Sequence, residues 1–135
     1  MPYINTAEVT EIRNALKAKF GKKFKFSVRR RDHHAVTVAI LSGPTDFSAM
    51  WEGLVPGDYG HGHSSINTYH ITKDRYGKHV KLFNEIVDII KTAPAKAPNG
   101  RAWFDESDSM VDYFHTAFYF DLDIGKWDRP YTVKV

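Results

Sequence analysis

The sequence of 135 residues contains no cysteine. This absence excludes disulfide bonds, thiolate zinc sites and cysteine nucleophiles. A chain without cysteine is typical of a reducing compartment, so we expect the protein in the cytoplasm.

Long hydrophobic runs are also absent. No apolar stretch approaches the roughly 20 residues that a membrane-spanning helix needs, so we expect no membrane contact. The first residues, Met1 to Asn5, lack the charged and apolar regions of a signal peptide. The composition, 42% hydrophobic and 26% charged, is that of a folded protein. Its length predicts one domain over residues 1–135.

The sequence has no catalytic motif of high specificity. There is no nucleophile triad pattern, no glycine-rich phosphate loop and no dinucleotide fingerprint. These absences favour a binding protein without a cofactor over an enzyme, although they leave the question of catalysis open.

The first elements are a capped helix and a hairpin. Asn5 and Glu8 have the spacing of a capping box, and Gly21 is a typical helix end. Residues 23–41 then alternate between apolar and polar side chains, with an interruption at residues 30–34, which predicts two antiparallel strands. Their predicted inner face consists of Phe24, Phe26, Val28, Val36, Val38 and Ile40.

The remaining chain predicts two more elements and a loop. Residues 42–53 suggest a turn and a short helix, and residues 54–69 read as a long loop rich in glycine and serine. Residues 73–92 have an amphipathic helical pattern. Residues 114–124 alternate like a strand, and a turn at residues 125–130 predicts a second hairpin. We therefore expect an α+β fold, a two-layer sandwich in which an antiparallel sheet of about four strands in two hairpins packs on two amphipathic helices.

Positive charge is concentrated at the front of the chain. Residues 1–50 carry a net charge of +5, residues 51–100 carry +1 and residues 101–135 carry −3. Clustered cations attract phosphate through counterion release. Alternatively, charged residues on the solvent-exposed face of a strand only keep that face hydrated and prevent edge-to-edge aggregation. The predicted binding residues of this basic hairpin are Lys22, Lys23, Lys25, Arg29, Arg30 and Arg31, with Lys17 and Lys19 just before them.

Two groups of residues could hold a metal ion. Imidazole and carboxylate groups are ordinary metal ligands, and one candidate site lies in and beside the long loop. Its members are Asp58, His61, His63 and His70. Asp121 and Asp123 share a predicted strand face with His115 and could instead hold Mg²⁺ for phosphodiester cleavage. Both groups have an ordinary alternative interpretation as polar surface residues.

The chain begins with a capped helix that ends at Phe20, followed by the strand at residues 23–29, a second strand and Gly43-Pro44-Thr45. This order resembles that of large polyvalent protein-associated domain 29. The resemblance covers roughly residues 1–55. Gly21-Lys22-Lys23 stands where we expect a Pro-Gly turn in that domain. The resemblance implies an accessory protein of phages or conjugative elements, which enters with incoming DNA and blunts host defence. It implies no catalytic residues.

These observations lead to one functional hypothesis and two alternatives. The first is a phage or plasmid binding protein in the host cytoplasm that interferes with a defence system by occupying a host protein complex or a nucleic acid, with the basic hairpin as the contact. The alternatives are a metal-dependent enzyme acting on nucleic acid and a phage structural or assembly protein. A homodimer is also open, because the acidic residues 105–112 could pair with the basic hairpin of a second copy.

Overall fold

The computed structural model describes residues 3–51, 53, 61–68, 71–105, 116–126 and 128–134. The helices are α1 (Thr6–Phe20), α2 (Lys73–Tyr76) and α3 (Val80–Thr92). The strands are β1 (Lys25–Arg31), β2 (Ala35–Gly43), β3 (Ser64–Ile66), β4 (Tyr119–Ile124) and β5 (Thr132–Val133). Short 3-10 turns occupy Ser48–Trp51, Gly77–His79 and Ala93–Lys96. No helix in the described ranges is long and apolar enough to cross a bilayer.

The five strands form one mixed sheet in the order β1-β2-β4-β3, with β5 beside the end of β2. The predicted α+β class is confirmed, and so is the first hairpin, because β1 and β2 pair antiparallel. β1 lies two residues further along the chain than the alternation indicated, and β2 extends two residues beyond its predicted end. Arg30 and Arg31 lie inside β1, and the turn consists of Asp32, His33 and His34, with Asp32 at a φ of 54°.

The predicted second hairpin is wrong. β4 and β5 do not pair with each other, because both run parallel to β2. Between them the chain makes a small turn, closed by hydrogen bonds between Lys126 and Arg129, and then resumes its former direction. The predicted turn is therefore present, but the chain does not reverse its direction there. It continues parallel to β2 after the turn. The other edge of β4 pairs antiparallel with β3, a short strand that the sequence patterns assigned to the loop.

The helices cover one face of the sheet. Side chains alternate along each strand, so Val28, Val38 and Leu122, which lie in register on neighbouring strands, share the covered face. All three are buried, as is the apolar side of each long helix. The largest fully buried side chains of this core are Phe47, Phe83, Phe118, Ile4, Ile12 and Leu16, together with Ile40, Ile86, Ile90, Leu122, Ile124 and Val36.

The predicted capping box at the start of α1 is confirmed. The Glu8 N–H donates to Asn5 Oδ1 at 2.8 Å, and the Asn5 N–H donates to Glu8 Oε1 at 3.1 Å. Each side chain thus satisfies a backbone donor that the first turn of a helix leaves without a partner.

Replacing Asn5 by alanine is expected to lower the free energy of unfolding by about 1 kcal/mol, because the capping acceptor is lost. Asn14→Ala is the matched control, since Asn14 is exposed in the middle of the same helix. There alanine, the better helix former, should leave stability unchanged or slightly raised. Urea denaturation of both variants measures the difference, and equal effects would contradict the capping role.

The predicted helix over residues 73–92 is broken near its start. Gly77 has a φ of 55°, a left-handed conformation that ends α2, and a 3-10 turn leads into α3. The break buries His79, which is 8% exposed, against the rings of Phe47 at 4.7 Å and Phe83 at 5.9 Å. Burial, followed by the nearby Lys78 charge, holds the pKa of His79 below its usual 6.5, while Asp46 acts in the opposite direction.

This lowered pKa predicts acid sensitivity. As the pH falls through 6.5, the unfolded chain binds a proton at His79 before the folded protein does, so the free energy of unfolding should fall with pH until the lower pKa of the folded protein is reached. We expect His79→Phe, which keeps a flat ring among its aromatic neighbours, to lose part of this slope. Urea unfolding at a series of pH values from neutral downward tests it. An unchanged slope in the variant would assign the acid sensitivity to other groups.

Candidate nucleic-acid interface

α1 packs antiparallel to β1, which is an edge strand of the sheet. The Ile4 N–H, just before α1, donates to His33 O at the hairpin turn. At the other end of α1, the Phe20 ring lies 5.5 Å from that of Phe26, near the start of β1. The two elements therefore run side by side, and both are about 22 Å long at the usual rise of helices and strands.

Arg13 joins the two elements at their midpoints. Its Nη2 donates to Val28 O at 2.8 Å, which satisfies a carbonyl on the open edge of β1. Arg13 itself is exposed, as is Lys17 one turn further along the same side of the helix. The Arg13–Val28 hydrogen bond thus joins α1 to β1, and this contact places the cations of the helix beside those of the strand.

Further cations lie at both ends of this contact. Lys22 and Lys25, both exposed, lie at the end where α1 finishes and β1 begins. At the hairpin end, Arg30 Nε donates to Ile4 O at 2.8 Å, and Nη2 of the same side chain lies 3.0 Å from His33 Nδ1. We call this surface the basic seam, and its residues are Arg13, Lys17, Lys22, Lys25 and Arg30.

The structure therefore divides the predicted basic hairpin. Lys22, Lys25 and Arg30 belong to the seam, and Lys23 is exposed beside it. Arg29 and Arg31 alternate with Arg30 and so project from the opposite face of the sheet, which the two long helices do not cover. There Arg31 Nη2 contacts Asp121 Oδ2 at 3.0 Å, the only salt bridge within the described part of the chain. Lys25 has the same parity as Arg29 and Arg31, but it stands at the first position of β1, where it lines the groove formed with Phe24, Phe26 and the end of α1.

Arg13 is the seam residue that the sequence patterns did not assign to the site. Its position four residues before Lys17 was a usable signal, because that spacing places both cations on one side of a helix. The contact with Val28 was not foreseeable, because it depends on how the helix lies against the sheet.

Aromatic rings lie at both ends of the seam. A groove of about 350 Å³ at the Lys22 end is lined by Phe24, Phe26 and Gly21 and by the cationic residues Arg13, Lys17, Lys22 and Lys25. The ring of Phe24 lies directly against Gly43, at a position that a Cβ atom would occupy. At the hairpin end, Tyr3 is 54% exposed, and the Arg30 guanidinium lies over its ring at 5.6 Å.

The candidate metal ligands are only partly described. Asp58 and His70 lie outside the described residues, so the four-residue site stays a prediction. His61 packs its ring 5.9 Å from that of Trp51. Among the described residues, no group of three or more histidine or acidic side chains is placed to hold a metal ion.

The carboxylate pair of β4 lies on the sheet face opposite the helices. Burial raises the pKa of Asp123, and the neighbouring Asp121 acts in the same direction, although a hydrogen bond from Ser65 and the electrostatic influence of His63 and Arg31 oppose this effect. His115 and residues 106–112, to which the nuclease and dimer hypotheses also refer, lie outside the described residues.

The fold and this surface together define an α+β protein with a basic seam along an edge strand. Searches with models of known families, among curated proteins and among solved structures found no match to this chain. The resemblance to large polyvalent protein-associated domain 29 therefore stays a prediction.

Proposed function

We propose that this protein binds nucleic acid along the basic seam and acts as an accessory protein of a phage or plasmid, interfering with a host defence system in the cytoplasm by occupying a nucleic-acid surface. The resemblance at residues 1–55 supports the mobile-element origin. The charge and geometry of the seam support the nucleic-acid ligand.

The observation that carries the proposal is that α1, the turn after it and β1 bring five cations together along a contact of about 22 Å. Four of them, Arg13, Lys17, Lys22 and Lys25, are exposed. A regularly charged polyanion can contact all of them at once and release one counterion for each phosphate that is neutralised. An acidic protein would need its carboxylates placed at matching positions, so nucleic acid is the simpler ligand for a linear array.

The proposal is tested by measuring the affinity for fluorescently labelled DNA and RNA oligonucleotides over a series of salt concentrations. If all five cations contact phosphates of a single strand, the logarithm of the binding constant should fall with the logarithm of the salt concentration with a slope of about −3.5. A protein that binds no oligonucleotide at low salt would overturn the proposal and direct the search to an acidic protein partner.

A further inference from the structure

We infer that the nucleic acid bound along the seam is single-stranded, with unpaired bases stacked in the Phe24–Phe26 groove at one end and on Tyr3 at the other. This inference rests on the proposed function, and it adds the form of the ligand and a minimum length.

The groove has the composition of a base-binding site. It is lined by two aromatic and four cationic residues, so a base can lie against a ring while the adjoining phosphates contact Lys22 and Lys25. Aromatic stacking needs a free base face, which the paired and stacked bases of a duplex interior do not offer.

The rings of the groove are held in place. Phe20 meets Phe24 edge-on at 5.6 Å, and the ring centroids of Phe24 and Phe26 are 6.2 Å apart. Gly43, which lacks a Cβ atom, lets the Phe24 ring lie directly on β2. A fixed ring loses little conformational entropy when a base stacks on it.

The opposite end offers a second aromatic surface. Tyr3 keeps 54% of its surface exposed, and its backbone N–H donates to Ala117 O at 2.8 Å, which anchors the residue. The Arg30 guanidinium that lies over this ring is also part of the seam, so a base on Tyr3 and a phosphate near Arg30 would belong to the same strand. Across about 22 Å, a strand with the stacked rise of about 3.4 Å per nucleotide would span about six nucleotides.

The test compares oligodeoxythymidylates of about four to about sixteen nucleotides with a duplex of matched length at one salt concentration. We expect single strands to bind more tightly than the duplex, with affinity rising steeply up to about six nucleotides and more slowly beyond. Phe24→Leu and Tyr3→Leu should each weaken single-strand binding about 5- to 150-fold and leave the weaker duplex binding unchanged.

Each outcome separates the two proposals. Equal affinities for single strand and duplex, with both variants binding like the unaltered protein, would overturn this inference and leave the seam as a phosphate-binding surface. Failure to bind either oligonucleotide would overturn the proposed function as well. If Phe24→Leu fails to fold, Tyr3→Leu still tests the inference, because Tyr3 is largely exposed and its replacement should not disturb the core. Thermal unfolding of both variants checks that the fold is retained.

Discussion

Replacing Lys17, Lys22 and Lys25 together by glutamate is expected to weaken nucleic-acid binding by on the order of 100-fold or more at low salt. All three residues are exposed, and all three line the Phe24–Phe26 groove. The change turns attraction for phosphate into repulsion at three points along the seam. The salt slope should become shallower by about 2, because three phosphate contacts of a single strand are lost.

The matched control replaces Lys73, Arg75 and Lys81 by glutamate. These residues are also exposed, but they lie on α2 and α3, so the control changes the net charge equally while leaving the seam intact. If both triple variants lost affinity to the same extent, the net charge would govern binding and the seam assignment would fail. Arg30 is kept in both variants, since its bond to Ile4 O links the start of α1 to the hairpin and its loss would disturb the fold.

Phe47→Ala is expected to lower the free energy of unfolding by about 3–5 kcal/mol, the cost of deleting a large aromatic side chain from a packed core. Phe47 is 0% exposed and lies between segments that are far apart in the sequence. Its ring is 5.9 Å from Phe83 of α3 and 5.0 Å from Tyr131, which precedes β5. The Tyr131 hydroxyl also donates to Thr45 O at 2.8 Å. The cavity left by the Phe47 ring would therefore lie between α3 and the segment before β5.

Urea denaturation of Phe47→Ala and Phe47→Leu measures this effect. The leucine variant should lose less, because it leaves a smaller cavity. Tyr119→Ala is the surface control, since Tyr119 is 47% exposed, and we expect a much smaller change there. A loss of less than about 1 kcal/mol in Phe47→Ala would contradict the central position of this ring in the core.

The comparison of β1 with β4 explains why the pairing of one strand was predicted correctly and the pairing of the other was not. Alternation correctly identified the buried face of β1, because every second side chain of a strand points the same way. The same pattern correctly indicated a strand within residues 114–124, where β4 occupies Tyr119–Ile124. The hairpin partner of β1 follows at once in the sequence, so the short turn at residues 32–34 leaves antiparallel pairing as the natural outcome. β4 has two neighbours that come earlier in the sequence, and alternation carries no information about which strand lies beside it or in which direction.

The sequence by itself determined the capped helix α1, the first hairpin, the buried faces of both and the concentration of cations near them. These features depend on side-chain periodicity and on hydrogen bonds between residues a few positions apart, which the order of residues specifies directly. Only the tertiary structure decided that Arg13 meets Val28, that Arg30 turns toward the helices while Arg29 and Arg31 turn away, and that Tyr3 lies beside the hairpin turn. Those placements follow from burying the apolar side of α1 against the sheet, because that packing brings together residues separated by 15 and 26 positions in the chain.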